Sequence, residues 1–373
     1  MTPNPPDWGE WSDLEAARIQ RAGQWRTPRA FDPSDPRGLV SFASNDYLGL
    51  TRHPAVMQAA HDAIDRWGTG AGAARLIVGS RPVHDELEAA LAEWKGTEAA
   101  VLFATGFAAN LGVLGTFAGP DVLVVSDELN HASLIDGRRL AGAPLAVYRH
   151  ADAAHVDELL RASDAPRAIV VSETVFSMDG DVAPVDKLAE VCAHHGALLI
   201  LDEAHAVLGP DVALGDVDVL RVGTLSKTLG ALGGFVAGPK RFTELLVNQA
   251  RSYIFTTAST PADTAAALAA LRVLCSPEGD ARRARLRDNV QRLRPGHPSP
   301  IVPYVCGSEA RALEAATVLS DHGLLVTAIR PPTVPPGTAR LRVALSATHT
   351  AGQIDTLAAA LAGLFPDLAA EGR

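Results

Sequence analysis

The 373-residue chain is short of cysteine, lysine and aromatic residues, and each shortage excludes something. Cys192, Cys275 and Cys306 are far apart and odd in number. They argue against a disulfide framework and a thiolate metal site, so no metal is expected, and they fit a reducing, cytoplasmic setting. A net charge of −10 argues against a nucleic-acid partner, which needs a basic face. Local arginines still allow an anionic small molecule. The opening MTPNPPDWGEW has neither a basic start nor an apolar run, so no signal peptide is expected. One charge-free run, residues 99–119, is long enough to span a bilayer. Thr105, Gly106 and Asn110 interrupt it, and it reads better as strand, turn and helix, so no membrane partner is expected.

What is present is an apolar content of 47%, enough to bury a large core, in a chain too long for one ordinary domain. The first 44 residues read as a short helix over 13–21 and an irregular arm rich in Arg, Pro and Trp. Helical spacing of apolar residues follows over 54–67 and 83–95, the second run stopped by Gly96. Then AAVLFA, DVLVVS, RAIVVSE, ALLILD and DVLRVG alternate with helical stretches such as 153–162 and 186–194. This predicts an α/β fold with a mostly parallel sheet covered on both faces. The texture changes near residue 262, predicting a large domain over 45–260 and a smaller α+β domain over 261–373.

Only four lysines stand against 29 arginines. Lys95, Lys187 and Lys240 sit at helix ends or on a helix face and read as solvated charges. Lys227 lies in VGTLSKTLGALGG, directly after a strand and among small neutral residues. It is either one more surface charge or a partly desolvated amine that loses its proton easily. In ALLILDEAHA an apolar strand ends in Asp202, where parallel sheets bind ligands, and His205 follows three residues later. A carboxylate there can keep a pyridine nitrogen protonated, although a metal pair or a capping Asp is also consistent with Asp-x-x-His alone. In TGFAAN, residues 105–110, a glycine turn opens a helix and offers free N–H groups to a phosphate; a plain tight turn reads the same way. His131, in SDELNHASLIDG, is placed to stack on a flat ring or to cap a helix. Arg342, alone in charge between the apolar residues of LRVAL, calls for a carboxylate, substrate or structural. The glycines at 68, 70 and 72 follow no strand and are rejected as a dinucleotide loop.

Taken in order, SNDYLGL, GFAAN, NHAS, ETVFSMDGD, DEAH and TLSK resemble the α-oxoamine synthases, a family of fold-type-I pyridoxal-phosphate enzymes. The likeness runs from about Ser41 to His349. It implies a large domain with a mostly parallel seven-stranded sheet, a small C-terminal domain, and a homodimer with shared active sites. It implies that Lys227 holds pyridoxal 5'-phosphate as a Schiff base and shuttles the Cα proton, that Asp202 pairs with the ring nitrogen, and that His131 stacks on the ring. His205 and Ser177 would contact the phenolic oxygen. Gly106, Phe107 and Thr224 would hold the phosphate, with Thr256 or Thr257 reaching that of the neighbouring subunit. Asn45 and Arg342 would position the amino acid, Glu173 would lie close by, and Arg75 would face the acyl substrate. The run AIRPPTVPPGTARLR is similar to the members that condense L-alanine with a pimeloyl thioester, carried by coenzyme A or a carrier protein, in making biotin. The alternative is a sister enzyme joining glycine or another amino acid to a different acyl-CoA. Two departures touch the acyl side: Ala206 and a short segment follow His205, and Ala73-Ala74 replace the usual Gly-Ser before Arg75.

Overall fold

The computed structural model describes residues 7–28, 30–32, 38–210, 212 and 214–366. They divide into two compact units, Asn45–Pro300 with Leu345–His349, and Met1–Ser44 with Ile301–Ala344 and Thr350–Arg373.

The larger unit is built on seven strands: β1 (Ala99–Phe103), β2 (Val122–Asp127), β3 (Leu145–Tyr148), β4 (Arg167–Glu173), β5 (Leu198–Asp202), β6 (Val219–Thr224) and β7 (Gly234–Gly238). Their order across the sheet is β1-β7-β6-β5-β4-β2-β3. Every pairing is parallel except the two that β7 makes with β1 and β6. The five apolar segments read from the sequence are all strands, because a sheet covered on both faces needs apolar side chains in both directions. Alternation shares them out. Ile169, Val171 and Ile200 join one buried cluster with Ala109, Val113 and Leu114 of the helix Gly106–Phe117. Val170, Leu199 and Leu201 join the other, with Leu188, Ala189 and Cys192 of the helix Val185–His195. β3 was not read from the sequence, since it is a four-residue edge strand with two exposed positions. β7 was not read either; it begins and ends in glycine.

The helices Pro261–Leu274 and Pro277–Leu293, expected with the smaller domain, belong to this unit by contact. The first buries Ala266, Ala267, Leu268, Ala270 and Leu271 against the helices Pro54–Trp67 and Pro82–Lys95. A broad Ala/Leu face of this kind has to be covered, and Arg272 lies outside it in solvent. Lys95 also departs from expectation. Its Nζ lies 2.7 Å from Glu203 Oε2 and 3.7 Å from the Trp94 ring centre, and both charged side chains are largely buried. Arg221 of β6 takes the other Glu203 oxygen at 3.0 Å. Position at a helix end predicted solvent; distant residues close over it.

In the smaller unit Ala339–Ala344 pairs antiparallel with Thr327–Ile329 on one side and Ile301–Gly307 on the other. Helices Glu309–Asp321 and Ala351–Leu364 accompany this sheet, and Val40–Ser41 pairs parallel with Leu324–Leu325. Arg340 and Arg342 are both buried in the central strand. The N-terminal helix is Trp8–Arg21, and Arg26 beyond it donates to the carbonyl of Pro331 at 3.2 Å.

Candidate active site

Parallel strands end together, and here β4 and β5 end on acids. Glu173 and Asp202 are register partners, so both side chains leave the same face of the sheet. Asp202 lies two residues after Ile200, and period-two alternation therefore turns it toward the helix Gly106–Phe117. Asn110 of that helix donates from Nδ2 to Asp202 Oδ2 at 2.7 Å and to Ser133 Oγ at 2.9 Å. The Ala204 amide donates to Asp202 Oδ1 at 3.0 Å. With one donor on each oxygen the carboxylate is held in plane and keeps lone pairs for a ligand. Glu173 is different. Burial first, and the charge of Asp202 second, push its carboxyl up to about 8, so it carries a proton at neutral pH. The Ser177 amide donates to its Oε2 at 3.0 Å, while Oε1 has no partner among the described residues.

Lys227 enters from the turn after β6, which Leu225 N–H to Gly233 O and Gly230 N–H to Lys227 O hold in shape. Its Nζ lies 2.9 Å from His205 Nε2, and His205 Nδ1 lies 2.6 Å from the Tyr47 hydroxyl. His131 caps the helix Ala132–Ala141, its Nδ1 accepting from the Ser133 amide at 3.2 Å. Burial lowers its pKa, opposed by Asp202 and reinforced by Lys227, so the ring is held neutral. Phe107 meets this ring edge-on, with centres 6.4 Å apart.

A third group of residues forms an anion cradle. Thr105 caps the helix Gly106–Phe117 through the amide of Ala108, leaving the Gly106 and Phe107 N–H groups as the orphan donors of a helix start. Thr224 Oγ1 and Ser226 Oγ stand 2.7 Å apart beside them. The approach is close enough to demand glycine: a Cβ at Gly234 would lie 2.4 Å from the carbonyl of Thr105 and 2.5 Å from the Gly106 nitrogen. Amine, ring-facing carboxylate, neutral ring and anion cradle all line one cavity of about 180 Å³. This donor set fits pyridoxal phosphate, which offers an aldehyde, a ring nitrogen, a flat face and a phosphate. Two buried polar atoms of the wall, Asn110 Oδ1 and Glu173 Oε1, have no partner among the described residues and call for a ligand.

The cavity thus collects Gly106, Phe107, His131, Glu173, Asp202, His205, Thr224 and Lys227 of the expected set. Ser177 lies just behind it, bonded to Glu173. Asn45 accepts from the Tyr47 hydroxyl at 3.1 Å. Thr256 and Thr257 line a separate small cleft with Arg75. Arg75 itself is not presented to the cavity: its guanidinium forks onto Glu88 at 2.9 and 3.2 Å and is 8% exposed. Arg342 belongs to the smaller unit. Sequence reading missed Asn110, Ser133, Ser226 and Tyr47 as site residues. For Asn110 a signal existed, a lone amide in an apolar helix run; the others lie inside SNDYLGL, NHAS and TLSK, but nothing along the chain singles them out from their motif neighbours.

The model of aminotransferase class I and II matches residues 37–361. The chain belongs to this family. It is 48% identical to the 8-amino-7-oxononanoate synthase of Anaeromyxobacter dehalogenans (strain 2CP-1), over 97% of each chain. It is similar in structure to a serine palmitoyltransferase variant from S. paucimobilis that carries a PLP–myriocin adduct, with TM-score 0.88, 30% identity, and 98% and 100% of the two chains covered. It is also similar to the 8-amino-7-oxononanoate synthase of Francisella tularensis, with TM-score 0.73, 26% identity, and coverage of 91% and 99%. Within the family, the likeness to α-oxoamine synthases read from the motifs is borne out by these relatives, and so is the fold-type-I architecture.

Proposed function

We propose that the chain is a pyridoxal-phosphate-dependent acyltransferase that joins L-alanine to a pimeloyl thioester, with loss of carbon dioxide, to give 8-amino-7-oxononanoate. The observation that carries this reading is the convergence of Lys227, His205, Asp202 and the Gly106 cradle on one cavity, in a chain 48% identical to a synthase of that name. When bound, the cofactor supplies an aldehyde that captures amines and a ring that accepts the electron pair left at a deprotonated carbon.

The chain supplies the rest. Asp202, fixed by Asn110 and Ala204, presents negative charge to the ring nitrogen and keeps it protonated. The Gly106 and Phe107 amides, Thr224 and Ser226 hold the phosphate. Neutral His131 covers the ring face without adding charge. Lys227 would hold the cofactor's aldehyde and, as a free amine beside His205, would be the base that takes the proton from Cα and later returns one. Asn45 and Arg342 are assigned to the amino acid, Arg342 to its carboxylate, on the resemblance alone. The same resemblance makes the chain a homodimer in which Thr256 or Thr257 serves the partner's site. In support, Leu76, Ile77, Val78 and Phe255, near that cleft, are 51–73% exposed, an unusual apolar display.

Borohydride reduction of the cofactor-loaded protein, followed by peptide mass analysis, should place the cofactor on Lys227; no adduct there would overturn the cofactor assignment. Steady-state assays with alanine against glycine and serine, and with pimeloyl against acetyl and palmitoyl thioesters, then test the substrates. The likeness to a serine palmitoyltransferase at TM-score 0.88 favours a second reading, another amino acid with another acyl donor. Turnover of serine or glycine in preference to alanine would establish it.

A further inference from the structure

Tyr47 comes from SNDYLGL and is wholly buried. Neighbouring bonds fix its place. Asp46 receives the amides of Leu50 at 2.8 Å and Thr51 at 3.2 Å, and the Tyr47 carbonyl receives the Ala347 amide at 2.8 Å. Its hydroxyl sits between two groups, Asn45 Oδ1 at 3.1 Å and His205 Nδ1 at 2.6 Å. On its far side His205 faces Lys227 Nζ at 2.9 Å.

The ends of this chain of contacts dictate its direction. Asn45 Oδ1 can only accept, and a lysine ammonium can only donate. The tyrosine proton therefore points to Asn45, leaving the phenolic oxygen to accept from Nδ1–H, and Nε2 keeps a lone pair for Lys227. The other tautomer would set an N–H of His205 against an ammonium at 2.9 Å, in a place where His205 is 5% exposed and water cannot relieve the clash. A histidine tautomer is set by the bond its other nitrogen makes. We propose that Tyr47 is a positioning residue: it holds His205 in the Nδ1–H tautomer and so keeps Nε2 as the acceptor facing Lys227. When Nε2 takes a proton from the Lys227 ammonium, leaving a neutral amine and an imidazolium, Nδ1–H still faces the Tyr47 oxygen and Nε2–H faces the lone pair of the amine, so no side chain has to turn. This rests on the reading of Lys227 as the cofactor-binding amine.

The test is ¹⁵N spectroscopy of histidine-labelled protein, with His205 assigned by its loss in His205→Gln, in the wild type and in Tyr47→Phe, before and after cofactor loading. In the cofactor-free wild type, Nδ1 should show the protonated and Nε2 the unprotonated shift. In Tyr47→Phe the two shifts should move toward each other as the preference is lost. Turnover should fall about tenfold, the loss expected of one hydrogen bond at about 1.4 kcal/mol, with KM for the amino acid changed less than twofold. An Nε2–H signature in the wild type overturns the proposal even if the variant does not fold. So does an unaltered tautomer in a folded Tyr47→Phe. Failure of the wild type to form a borohydride-stable adduct at Lys227 would instead sink the reading of the site, whatever the tautomer.

Discussion

Replacing Glu173 by glutamine isolates one electrostatic quantity. Burial and the neighbouring Asp202 raise the Glu173 carboxyl from 4.5 to about 8. That is about 3.5 decades of proton affinity, or about 5 kcal/mol at 1.36 kcal/mol per decade. The sign follows from which state holds the proton. Above pH 4.5 the unfolded chain releases it while the folded chain retains it, so stability falls as pH rises, until Glu173 ionises near pH 8. The slope of this contribution is about 1.4 kcal/mol per pH unit. Glutamine keeps the acceptor for the Ser177 amide, 3.0 Å from Oε2 in the parent, but cannot titrate. Urea unfolding of cofactor-free wild type and Glu173→Gln at pH 5, 6, 7 and 8 should therefore show a widening gap in favour of the variant. The gap should grow by about 3–4 kcal/mol over that range. Parallel stability curves, or a gap that narrows toward pH 8, would show that Glu173 is ionised in the folded protein and refute the reasoning.

Other substitutions address the remaining contacts. Lys227→Ala should fold normally and bind cofactor without the borohydride-stable attachment, and adduct formation at any other lysine would contradict the assignment. Asn110→Leu removes the donor 2.7 Å from Asp202, a charge-assisted bond of about 1.5–3 kcal/mol. Cofactor affinity, read by absorbance titration, should drop about tenfold to a hundredfold, and an unchanged affinity counts against Asp202 as the ring's anchor. Gly234→Ala places a methyl 2.4 Å from the Thr105 carbonyl, so the cradle must open and cofactor should be lost on dialysis. Arg75→Ala leaves Glu88, which also receives the Leu102 amide at 2.8 Å, with a poorly hydrated charge. It should cost about 3 kcal/mol of stability and leave KM for the thioester unchanged; the reverse pattern would restore Arg75 to the substrate.

The legible parts of this molecule were those whose signal is local. Strands β1, β2, β4, β5 and β6 were readable because both faces of this sheet are buried and leave continuous apolar runs. β3 and β7 were not, one being short and half exposed at the sheet edge, the other made of small residues between glycines. The Gly96 stop was readable, whereas the burial of Lys95 one position earlier was not, because Glu203 and Arg221 come from more than a hundred residues away.

The sequence by itself determined which chemistry is present. One lysine out of four stands in a glycine-rich turn, Asp202 ends an apolar strand, and Gly106 opens a helix, each recognisable from its neighbours along the chain. Only the tertiary structure decided how those groups are tuned. Asn110 meets Asp202 across 92 positions, Tyr47 meets His205 across 158, and Arg75 is drawn away to Glu88. Such choices rest on the face a side chain leaves and on which partner folding brings within about 3 Å, and pattern along a chain does not carry that distance.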